Sequence, residues 1–574
     1  MAEGQRTKVE ASKEASNYLR GDLAAELHND GDGAFTHESY LLLKFHGIYQ
    51  QDDRDLRRAR KAQGLTPAHS CMVRASVPGG ALTAAQYLEL DKLCDAVGNA
   101  TMRITSRQGV QFHFVAKSDL PELIAALNSH LVTTLGACGD VVRNTTCCPA
   151  PYRDPAHDEL RAHVTQVAAH FRPRTPAYYE LWLDGEHAVT AHRRPEPLYD
   201  AAYLPRKFKI GFAHEGDNCI DVLGNDVAVI PVLSTGTIRA FTLAVGGGMG
   251  RSHTRPDTFP RLATPLTTIA PVELLEVLEA IVTLHRDHGD RADRHHARLK
   301  YLVDDWGIAA VRAHLSSALG RSLPPPAPIT FAAADDHLGW HPQGDGTWFL
   351  GIKVESGRLI DRPNSAVRSG IRAAVERYGC NVRLTAREDL LLTDIAQQDR
   401  DGVSALLEAH CVAALSDWSP LERASFACPA LPTCGLALTE SERVLPRVLA
   451  EIDDELTNVG LTGLDVEVRM TGCANGCARP YTAEIGLIGR AKDRYDIALG
   501  ADRLGTRLNV TFAENVPRSQ LAAVLSPALA TYHRERHTQE AFGDFCARWG
   551  VARLRTEVGT EQWTRAPRSA ADAP

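Results

Sequence analysis

The spacing of apolar residues predicts both strands and helices along the chain. In LDVEVRM (464–470) every second residue is apolar, which is typical of a strand with one buried face. After Thr439, apolar residues recur at helical spacing, at Val444, Leu445, Val448, Leu449, Ile452 and Leu456. Thr439 and Glu442 match a capping box, so this helix is expected to begin near Thr439. Pro446 is a candidate for a kink in it, and Gly460 for its end.

A second pattern occurs twice in the chain. MRITSRQGVQFHF (102–114) and VRLTAREDLLLTD (382–394) share the frame R-[IL]-T-x-R-[QE], so Arg103 and Arg107 each have a counterpart in the second copy. Each copy follows an amphipathic helical stretch, and each helix follows a strand-like run that contains a Gly turn. This agreement of flanking elements disfavours a chance match. We therefore predict a duplicated α+β protein, with ligands bound where its halves meet.

Composition narrows the class of protein. The 574 residues carry a net charge of −8, from 63 basic and 71 acidic residues, which gives no reason to expect nucleic acid or an anionic membrane as the main partner. No run of about eighteen apolar residues and no signal-peptide pattern occurs, so a cytoplasmic location is expected. The first fifteen or so residues and the tail RAPRSAADAP are expected to be disordered.

Thirteen cysteines, an odd number, do not suggest a disulfide framework, but two close pairs suggest a metal centre. Cys428 and Cys434 lie in the loop ACPALPTCG, and Cys473 and Cys477 lie in TGCANGC at a predicted strand end. Four convergent thiolates suit zinc or an iron–sulfur cluster, and the spacings Cys-x₅-Cys and Cys-x₃-Cys are unlike a zinc knuckle. An ordinary tight turn is the remaining alternative. A third pair at 147–148 is interpreted as packing.

These motifs resemble a known family. C-x₅-C…TGC-x-NGC together with the duplicated R-x-T-x-R unit is similar to the signature of the sirohaem-containing sulfite and nitrite reductases. SNYLRG, FHGIYQQDDRD, YLPRKFK, HARLKY and FGDFCARWG extend the resemblance over nearly the whole chain. The likeness is greatest to the haemoprotein (β) components of assimilatory, NADPH-dependent sulfite reductases.

The resemblance implies a pseudo-twofold α+β fold of ferredoxin-like half-domains and two domains that bind sirohaem and a [4Fe–4S] cluster. The expected segments are an N-terminal extended arm (1–65), a first half-domain (66–137), a sirohaem-binding domain (138–345), a second half-domain (346–420), and a domain with the cluster, sirohaem contacts and the C-terminal tail (421–574).

Site residues follow from the same resemblance. The implied cluster ligands are Cys428, Cys434, Cys473 and Cys477, the last shared with the sirohaem iron. The implied catalytic, substrate-binding cations are Arg107, Arg143, Lys207 and Lys209. Further candidates for sirohaem contacts are Arg103, Arg294, Arg298, Lys300 and Asn475. The glycine-rich stretch 246–251 is expected to lie against the macrocycle, and Gly472, Ala474, Gly476 and Ala478 to leave room for the cofactors.

The implied function is the six-electron reduction of sulfite to sulfide. No flavin or nicotinamide motif is visible, so electrons are expected from a separate protein, an NADPH-dependent flavoprotein or alternatively ferredoxin. The nearest rival is an assimilatory, ferredoxin-dependent nitrite reductase, and such enzymes commonly carry Asn where this chain has Lys209. A rival of another class is a non-catalytic Cys₄ zinc module. In RKFK (206–209) an extended backbone would point both lysines the same way, whereas the plainer interpretation is a solvated basic strand.

Overall fold

A computed structural model describes residues 6–29, 33–183 and 196–563, without the side chains of 561 and 562. The chain forms two compact units, unit 1 (Met1–Gly248 and Ala263–Leu415) and unit 2 (Met249–Leu262 and Ser416–Pro574). Among the described residues, no helix is both long enough and apolar enough to cross a membrane.

Unit 1 contains thirteen helices and nineteen strands in its described residues. The helices are α1 (Lys8–Ala15), α2 (Leu23–Leu27), α3 (His37–Leu43), α4 (Arg57–Ala62), α5 (Ala84–Ala96), α6 (Leu120–Ser129), α7 (Pro155–His170), α8 (Ala177–Trp182), α9 (Leu274–His288), α10 (Leu299–Trp306), α11 (Ile308–Ala318), α12 (Val367–Tyr378) and α13 (Arg400–Ala409). The strands are β1 (Ile48–Asp52), β2 (His69–Ala75), β3 (Ala81–Leu82), β4 (Met102–Ile104), β5 (Val110–Val115), β6 (Thr146–Cys147), β7 (Ile210–Phe212), β8 (Gly216–Asp217), β9 (Val227–Ser234), β10 (Thr237–Val245), β11 (Thr264–Ile269), β12 (Phe331–Ala333), β13 (Gly339–Pro342), β14 (Thr347–Ile352), β15 (Arg358–Leu359), β16 (Asp361–Arg362), β17 (Ser365–Ala366), β18 (Asn381–Leu384) and β19 (Leu390–Ala396).

The duplication predicted from the sequence is present in two sheets of unit 1. Their strand orders are β1-β2-β5-β4-β15 and β13-β14-β19-β18-β3, which correspond position by position. The fifth strand of each sheet comes from the other copy, because β15 pairs with β4 and β3 pairs with β18. Left-handed backbone also recurs at equivalent positions, at Gln108 (φ 56°) and Glu388 (φ 71°), and at Phe114 (φ 59°) and Asp394 (φ 63°).

A third sheet of unit 1 has a counterpart in unit 2. Its order is β11-β10-β9-β7-β6. Unit 2 has the helices α14 (Pro420–Ala424), α15 (Leu445–Asn458), α16 (Leu521–Glu535), α17 (Phe542–Trp549) and α18 (Val551–Glu557), and the strands β20 (Phe426–Ala427), β21 (Val468–Thr471), β22 (Ile485–Ala491), β23 (Arg494–Leu499) and β24 (Val510–Pro517). Its sheet runs β20-β21-β22-β23-β24. Strands β6, β7 and β9 are parallel neighbours in the unit 1 sheet, as β20, β21 and β22 are in unit 2, and the remaining pairs of both sheets are antiparallel.

The predicted disorder of the N-terminal residues is wrong where the structure describes them. Helix α1 begins after Thr7, whose hydroxyl accepts a hydrogen bond from the Glu10 amide. Glu10 and Lys13 are buried, and Lys13 Nζ donates to the Leu204 carbonyl at 2.8 Å. Because α1 buries charged rather than apolar side chains, its hydrophobic pattern gave no sign of it. The predicted disordered tail (565–574) lies outside the described residues.

The helix predicted from Thr439 begins later than its capping-box pattern indicated. Helix α15 starts at Leu445, and its N-cap residue makes no side-chain cap. The Thr439 hydroxyl instead accepts from the Asp493 amide at 3.0 Å and hydrogen-bonds the Tyr495 hydroxyl. Pro446 therefore lies in the first turn, where a missing N–H costs no hydrogen bond, rather than at a kink. The helix ends two residues before Gly460, as predicted.

Candidate functional site

The four cysteines of unit 2 lie at the ends of two parallel neighbouring strands. Cys428 directly follows β20, and its amide donates to the Met470 carbonyl of β21 at 3.1 Å. Cys473 and Cys477 follow the end of β21, and Cys434 lies in the loop beyond Cys428. Because parallel strands end at the same edge of a sheet, this topology gathers all four thiols.

Electrostatics confirms that these thiols are neighbours. Burial raises the pKa of Cys428 well above its usual value, and Cys477, Cys473 and Cys434 raise it further, because a thiolate there would face three others. Burial and Cys477 likewise raise the pKa of Cys473 to about 12. Thiols with pKa values raised in this way, Cys428 and Cys473, are stable as thiolates only around a strong positive charge.

The spread of the four sulfur atoms matters for the kind of centre they suit. A single tetrahedral ion with bonds of about 2.3 Å holds thiolates about 3.8 Å apart. Among the described residues, one group of metal-binding side chains has all its donor atoms within 4.8 Å of one another. That group is described below, and it contains none of these four cysteines. The four thiols are thus set wider than a single ion requires, which suits a cluster of several irons.

Hydrogen-bond donors to sulfur accompany these thiols. The Gly472 amide donates to Cys428 Sγ at 3.4 Å, and the Asn475 side chain donates to Cys473 Sγ at 3.5 Å. Donors of this kind stabilise negative charge on cluster sulfur and raise its reduction potential. Asn475, predicted to contact a cofactor, therefore lies beside a predicted ligand. Cys477 is the exposed member of the four, whereas Cys428 is buried.

The glycines of TGCANGC have a structural reason besides leaving room for cofactors. A Cβ on Gly472 would come within 2.6 Å of the Ala430 Cβ and 2.7 Å of the Thr439 carbonyl oxygen. Gly476 has φ +63°, and a Cβ there would come within 2.9 Å of Tyr481. Ala474 and Ala478 are buried within unit 2. The protein itself therefore demands small residues here, in addition to any room that the cofactors need.

Three of the four predicted catalytic cations are brought together in unit 1. Phe208 is buried and forms an isolated parallel bridge with Val142, in which the Arg143 amide donates to the Phe208 carbonyl at 2.9 Å. Lys207 and Lys209 flank Phe208, so both lie opposite its buried ring. With their neighbours they form what we call the cationic cluster: Lys44, Arg143, Arg206, Lys207, Lys209, Arg294 and Arg298.

The cationic cluster lowers the pKa of its own lysines. Burial first, and then Arg206, Arg143 and Lys209, lower the pKa of Lys207 well below its ordinary value. Burial and Arg294 lower the pKa of Lys44 to about 8. Crowded cations of this kind favour a bound anion and make a lysine a readier proton donor near neutral pH.

Arg107, the fourth predicted cation, is held by the backbone around the cationic cluster. Its guanidinium donates to Asn225 Oδ1 at 2.7 Å, to the Ile210 carbonyl at 3.2 Å and to the Asn144 carbonyl. The last two carbonyls belong to the residues next to Lys209 and Arg143 in the chain. Arg107 therefore ties together the segments that carry the other three cations.

Buried carboxylates balance part of this positive charge. Arg294 pairs with Asp140 at 2.8 Å, and Arg298 pairs with Asp226 at 2.8 Å. Lys300 is fully buried and donates to the Gly248 carbonyl at 3.2 Å. The three residues predicted to bind sirohaem carboxylates are thus engaged with acidic side chains or with the glycine-rich loop in this structure.

Arg103 has a different environment from the one predicted. Its side chain is 1% exposed, and its guanidinium pairs with Glu388 of the second repeat at 2.9 Å. A neutralised, buried guanidinium joins the two half-domains and is not displayed to a ligand. The first arginine of the repeated frame thus pairs with an acidic residue inside the protein, and a contact between Arg103 and sirohaem stays a prediction.

Two members of the cationic cluster and a carboxylate beside it were not identified from the sequence. Arg206 lies within RKFK itself but was not singled out, and burial with Arg294 lowers its pKa to about 10. Lys44 directly precedes the FHGIYQQDDRD stretch and gave no signal of its own. Asp140, three residues before Arg143, is 3% exposed and pairs with Arg294. Only the structure reveals that these distant segments meet.

Comparison with known proteins identifies the protein family to which this chain belongs. The chain belongs to the nitrite and sulphite reductase family. The nitrite and sulphite reductase 4Fe-4S domain matches residues 165–323, and the nitrite/sulfite reductase ferredoxin-like half domain matches residues 64–130 and 341–410. The family predicted from the sequence is thereby confirmed, as is its α+β fold.

Individual relatives show which members of the family this chain is similar to. The chain is 42% identical over 544 residues to the sulfite reductase [NADPH] hemoprotein beta-component of Myxococcus xanthus, covering 95% of this chain and 96% of the relative. It is 41% identical over 550 residues to the same component of Xanthomonas campestris pv. campestris, covering 95% and 97%. The solved structure of Mycobacterium tuberculosis NirA protein shares the fold, with a TM-score of 0.77, 23% identity and coverage of 96% and 98%.

The 4Fe-4S domain match does not include the predicted cluster ligands. Residues 165–323 contain the unit 1 sheet strands β7 and β9 to β11, whereas all four cysteines lie in unit 2. The correspondence between the two sheets explains this, because the family description matches the first copy of a duplicated fold and the thiols stand in the second.

Proposed function

We propose that this chain is the haemoprotein component of an assimilatory sulfite reductase, which reduces sulfite to sulfide. The observation that carries the proposal is the convergence of Cys428, Cys434, Cys473 and Cys477 at the paired ends of β20 and β21. Their donor type and wide spacing fit a [4Fe–4S] cluster, and the exposed Cys477 fits a thiolate shared with a sirohaem iron. When bound, these groups supply one-electron transfer and an open iron position for substrate.

The chain's own contribution is charge, orientation and protons. Arg143, Lys207 and Lys209 offer a dense positive field that suits sulfite and the carboxylates of sirohaem. Each oxygen atom that leaves as water takes up two protons and two electrons, and Lys207, with its lowered pKa, donates one of those protons and is reprotonated from solvent, while the electrons come from the donor protein. Arg107 acts as a positioning residue, because its donors hold backbone beside the other cations.

Lys209 favours sulfite over nitrite as the physiological anion. Sulfite carries more negative charge than nitrite near neutral pH, so a second lysine beside Lys207 stabilises bound sulfite more than bound nitrite. The experiment compares kcat/KM per bound sirohaem on both anions. The wild type is expected to prefer sulfite, and Lys209→Asn to shift the ratio towards nitrite. The matched control is Lys92→Asn, whose side chain is 74% exposed on α5. A wild-type preference for nitrite would overturn the proposal.

The electron donor is proposed to be a separate NADPH-dependent flavoprotein. The relatives named as [NADPH] hemoprotein beta-components support this choice over ferredoxin. The test supplies electrons to the purified holoenzyme from an NADPH-dependent flavoprotein reductase or from reduced ferredoxin at matched concentrations. Faster sulfide production with the flavoprotein is expected, and faster production with ferredoxin would contradict the choice.

A non-catalytic Cys₄ zinc module would be colourless. The proposed enzyme absorbs visible light strongly and contains iron in excess of its tetrapyrrole. An absorption spectrum with iron analysis of the purified protein distinguishes the two, since a colourless protein without iron would exclude the proposed reductase.

A further inference from the structure

A second group of metal-binding side chains lies in unit 1, away from the four cysteines. Cys148, Asp217, Cys219 and His337 each direct one donor atom into a space where all four donors lie within 4.8 Å of one another. Cys148, Cys219 and His337 are at most 5% exposed, and Asp217 is half-buried. Three distant segments of the chain supply these four donors.

The measured separations suit one tetrahedral ion. Cys148 Sγ lies 3.8 Å from both Asp217 Oδ2 and His337 Nε2, and Asp217 Oδ2 lies 3.6 Å from His337 Nε2. Zinc bonds of about 2.3 Å to sulfur and about 2.0 Å to nitrogen or oxygen place such donors about 3.3–3.8 Å apart. These contacts are long for hydrogen bonds, yet they match the edges of a zinc coordination tetrahedron.

Outer contacts orient the donors as metal ligands require. The second oxygen of Asp217 accepts from the Asp335 amide at 3.1 Å, and Asp335 Oδ1 accepts from the His337 amide at 2.9 Å. Asp335 Oδ2 faces His337 Nδ1 at 3.7 Å, which is beyond hydrogen-bond distance, while Nε2 faces Cys148 and Asp217. A carboxylate behind the imidazole and a fixed carboxylate ligand are usual in zinc sites.

The place of this group in the fold supports the same conclusion. Cys148 follows β6 as Cys428 follows β20, and its amide donates to the Phe212 carbonyl of β7 at 3.1 Å, as the Cys428 amide does to Met470 of β21. Asp217 and Cys219 follow β7 as Cys473 and Cys477 follow β21. The duplicated fold therefore has cysteines after equivalent strands in both copies, wide-set in unit 2 and close-set in unit 1.

We infer that Cys148, Asp217, Cys219 and His337 bind one structural zinc ion in unit 1. Two sulfur, one nitrogen and one oxygen donor are typical of zinc, and four protein ligands leave no open position for catalysis. The ion joins the β6 loop to the parallel pair β8 and β12, which carry Asp217 and lead to His337. The sequence interpretation of Cys148 as a packing residue is replaced by this role.

Metal analysis of the purified holoenzyme is the first test. About one zinc per chain is expected in addition to iron, with X-ray absorption at the zinc edge showing two sulfur neighbours at about 2.3 Å and two lighter neighbours. This measurement needs no variant, and iron does not interfere with it. Holoenzyme without zinc, zinc with no sulfur neighbours, or a Cys148–Cys219 disulfide would overturn the inference.

Variants then separate the two metal centres. Cys219→Ser and His337→Asn are expected to lose zinc and to keep cluster iron, and Asn suits the left-handed backbone at 337, where φ is 57°. Cys434→Ser should do the reverse. The control is Cys94→Ser, a buried cysteine on α5 outside both groups, which should keep both metals. Zinc retained at wild-type content in both unit 1 variants would contradict the assignment.

Discussion

At the scale of single residues, Asp140 determines whether the cationic cluster can be accommodated. Burial alone would raise the pKa of Asp140, but Arg294, Lys13 and Arg206 outweigh burial and lower it well below the usual range. A carboxylate with a lowered pKa stabilises the folded state above the ordinary value of about 4, and this contribution is lost as pH falls below it. Asp140 thus links acid stability to the integrity of the cluster.

Replacing Asp140 with Asn should be strongly destabilising. The variant leaves the buried Lys13 and the half-buried Arg294 without their shared carboxylate, which should cost about 3 kcal/mol, the lower end of the range for a broken buried pair. Urea unfolding at pH 7 measures it, and the difference from wild type should shrink as pH is lowered through about 4. Asp158→Asn, which removes an exposed partner of Arg161, should cost about 1 kcal/mol or less. Equal losses for both variants would contradict this account.

Cys477 is the residue on which electronic communication should depend. Cys477→Ser replaces a soft thiolate with a hydroxyl that binds iron poorly, so sulfite reduction should fall by at least about a hundredfold. Electron paramagnetic resonance and the visible spectrum should show loss of coupling between sirohaem and cluster. Cys411→Ser, at the exposed cysteine of unit 1, is the control and should leave both unchanged. Retained coupling in Cys477→Ser would exclude a shared thiolate.

At the scale of elements, the two half-domains depend on exchanged edge strands. Gly80 and Gly357 occupy equivalent turns before β3 and β15, with φ of 72° and 71°. A Cβ on either would collide with a backbone carbonyl of the other copy, Leu384 for Gly80 and Ile104 for Gly357. The duplication therefore repeats a tight turn as well as the sequence frame, and both turns permit the strand exchange.

Alanine at these two turns should destabilise unit 1 to a similar extent. Gly80→Ala and Gly357→Ala combine strained backbone with a steric collision, so each should cost about 3 kcal/mol or more. Gly64→Ala is the control, because φ is 70° there but nothing lies within 4 Å of the added Cβ, and it should cost only about 1 kcal/mol. Thermal unfolding of the three variants measures the difference. A loss for Gly64→Ala as large as the others would point to backbone strain alone.

Sequence reasoning predicted these elements unevenly, for physical reasons. The repeat and the strand at 464–470 were predictable because periodicity and a shared frame are local signals, although only Val468–Thr471 forms the strand. The exchange of β3 and β15 between the two sheets was not predictable, because two-residue strands carry no periodicity and their partners lie far away in the chain. The helix start predicted at Thr439 was wrong because the Thr439 hydroxyl, which a capping box would use, makes tertiary hydrogen bonds instead.

The candidate site was predictable where a motif marks it. Four cysteines in close pairs and the lysines of RKFK can be recognised without coordinates. The proposed zinc ligands could not be recognised, because Cys148, Cys219 and His337 lie far apart in the sequence and only the fold brings them together. Arg103 shows a different limit, since its motif is repeated in the sequence but its pairing with Glu388 can be seen only in the structure.

At the scale of the whole molecule, the proposed cluster and the proposed zinc ion lie in different units, so removing one metal should affect one unit. Metal binding contributes directly to folding where ligands come from several segments. Removing iron should reduce hydrogen-exchange protection in β20 to β22 and the loops that carry the four thiols. Removing zinc with a chelator from the iron-loaded protein should instead reduce protection in β6, β8 and β12. Strands β23 and β1 are the internal references in the two units, since neither holds a ligand. Equal loss across both units after either treatment would show that the metals do not act locally, and would contradict the assignment of one centre to each copy of the duplicated fold.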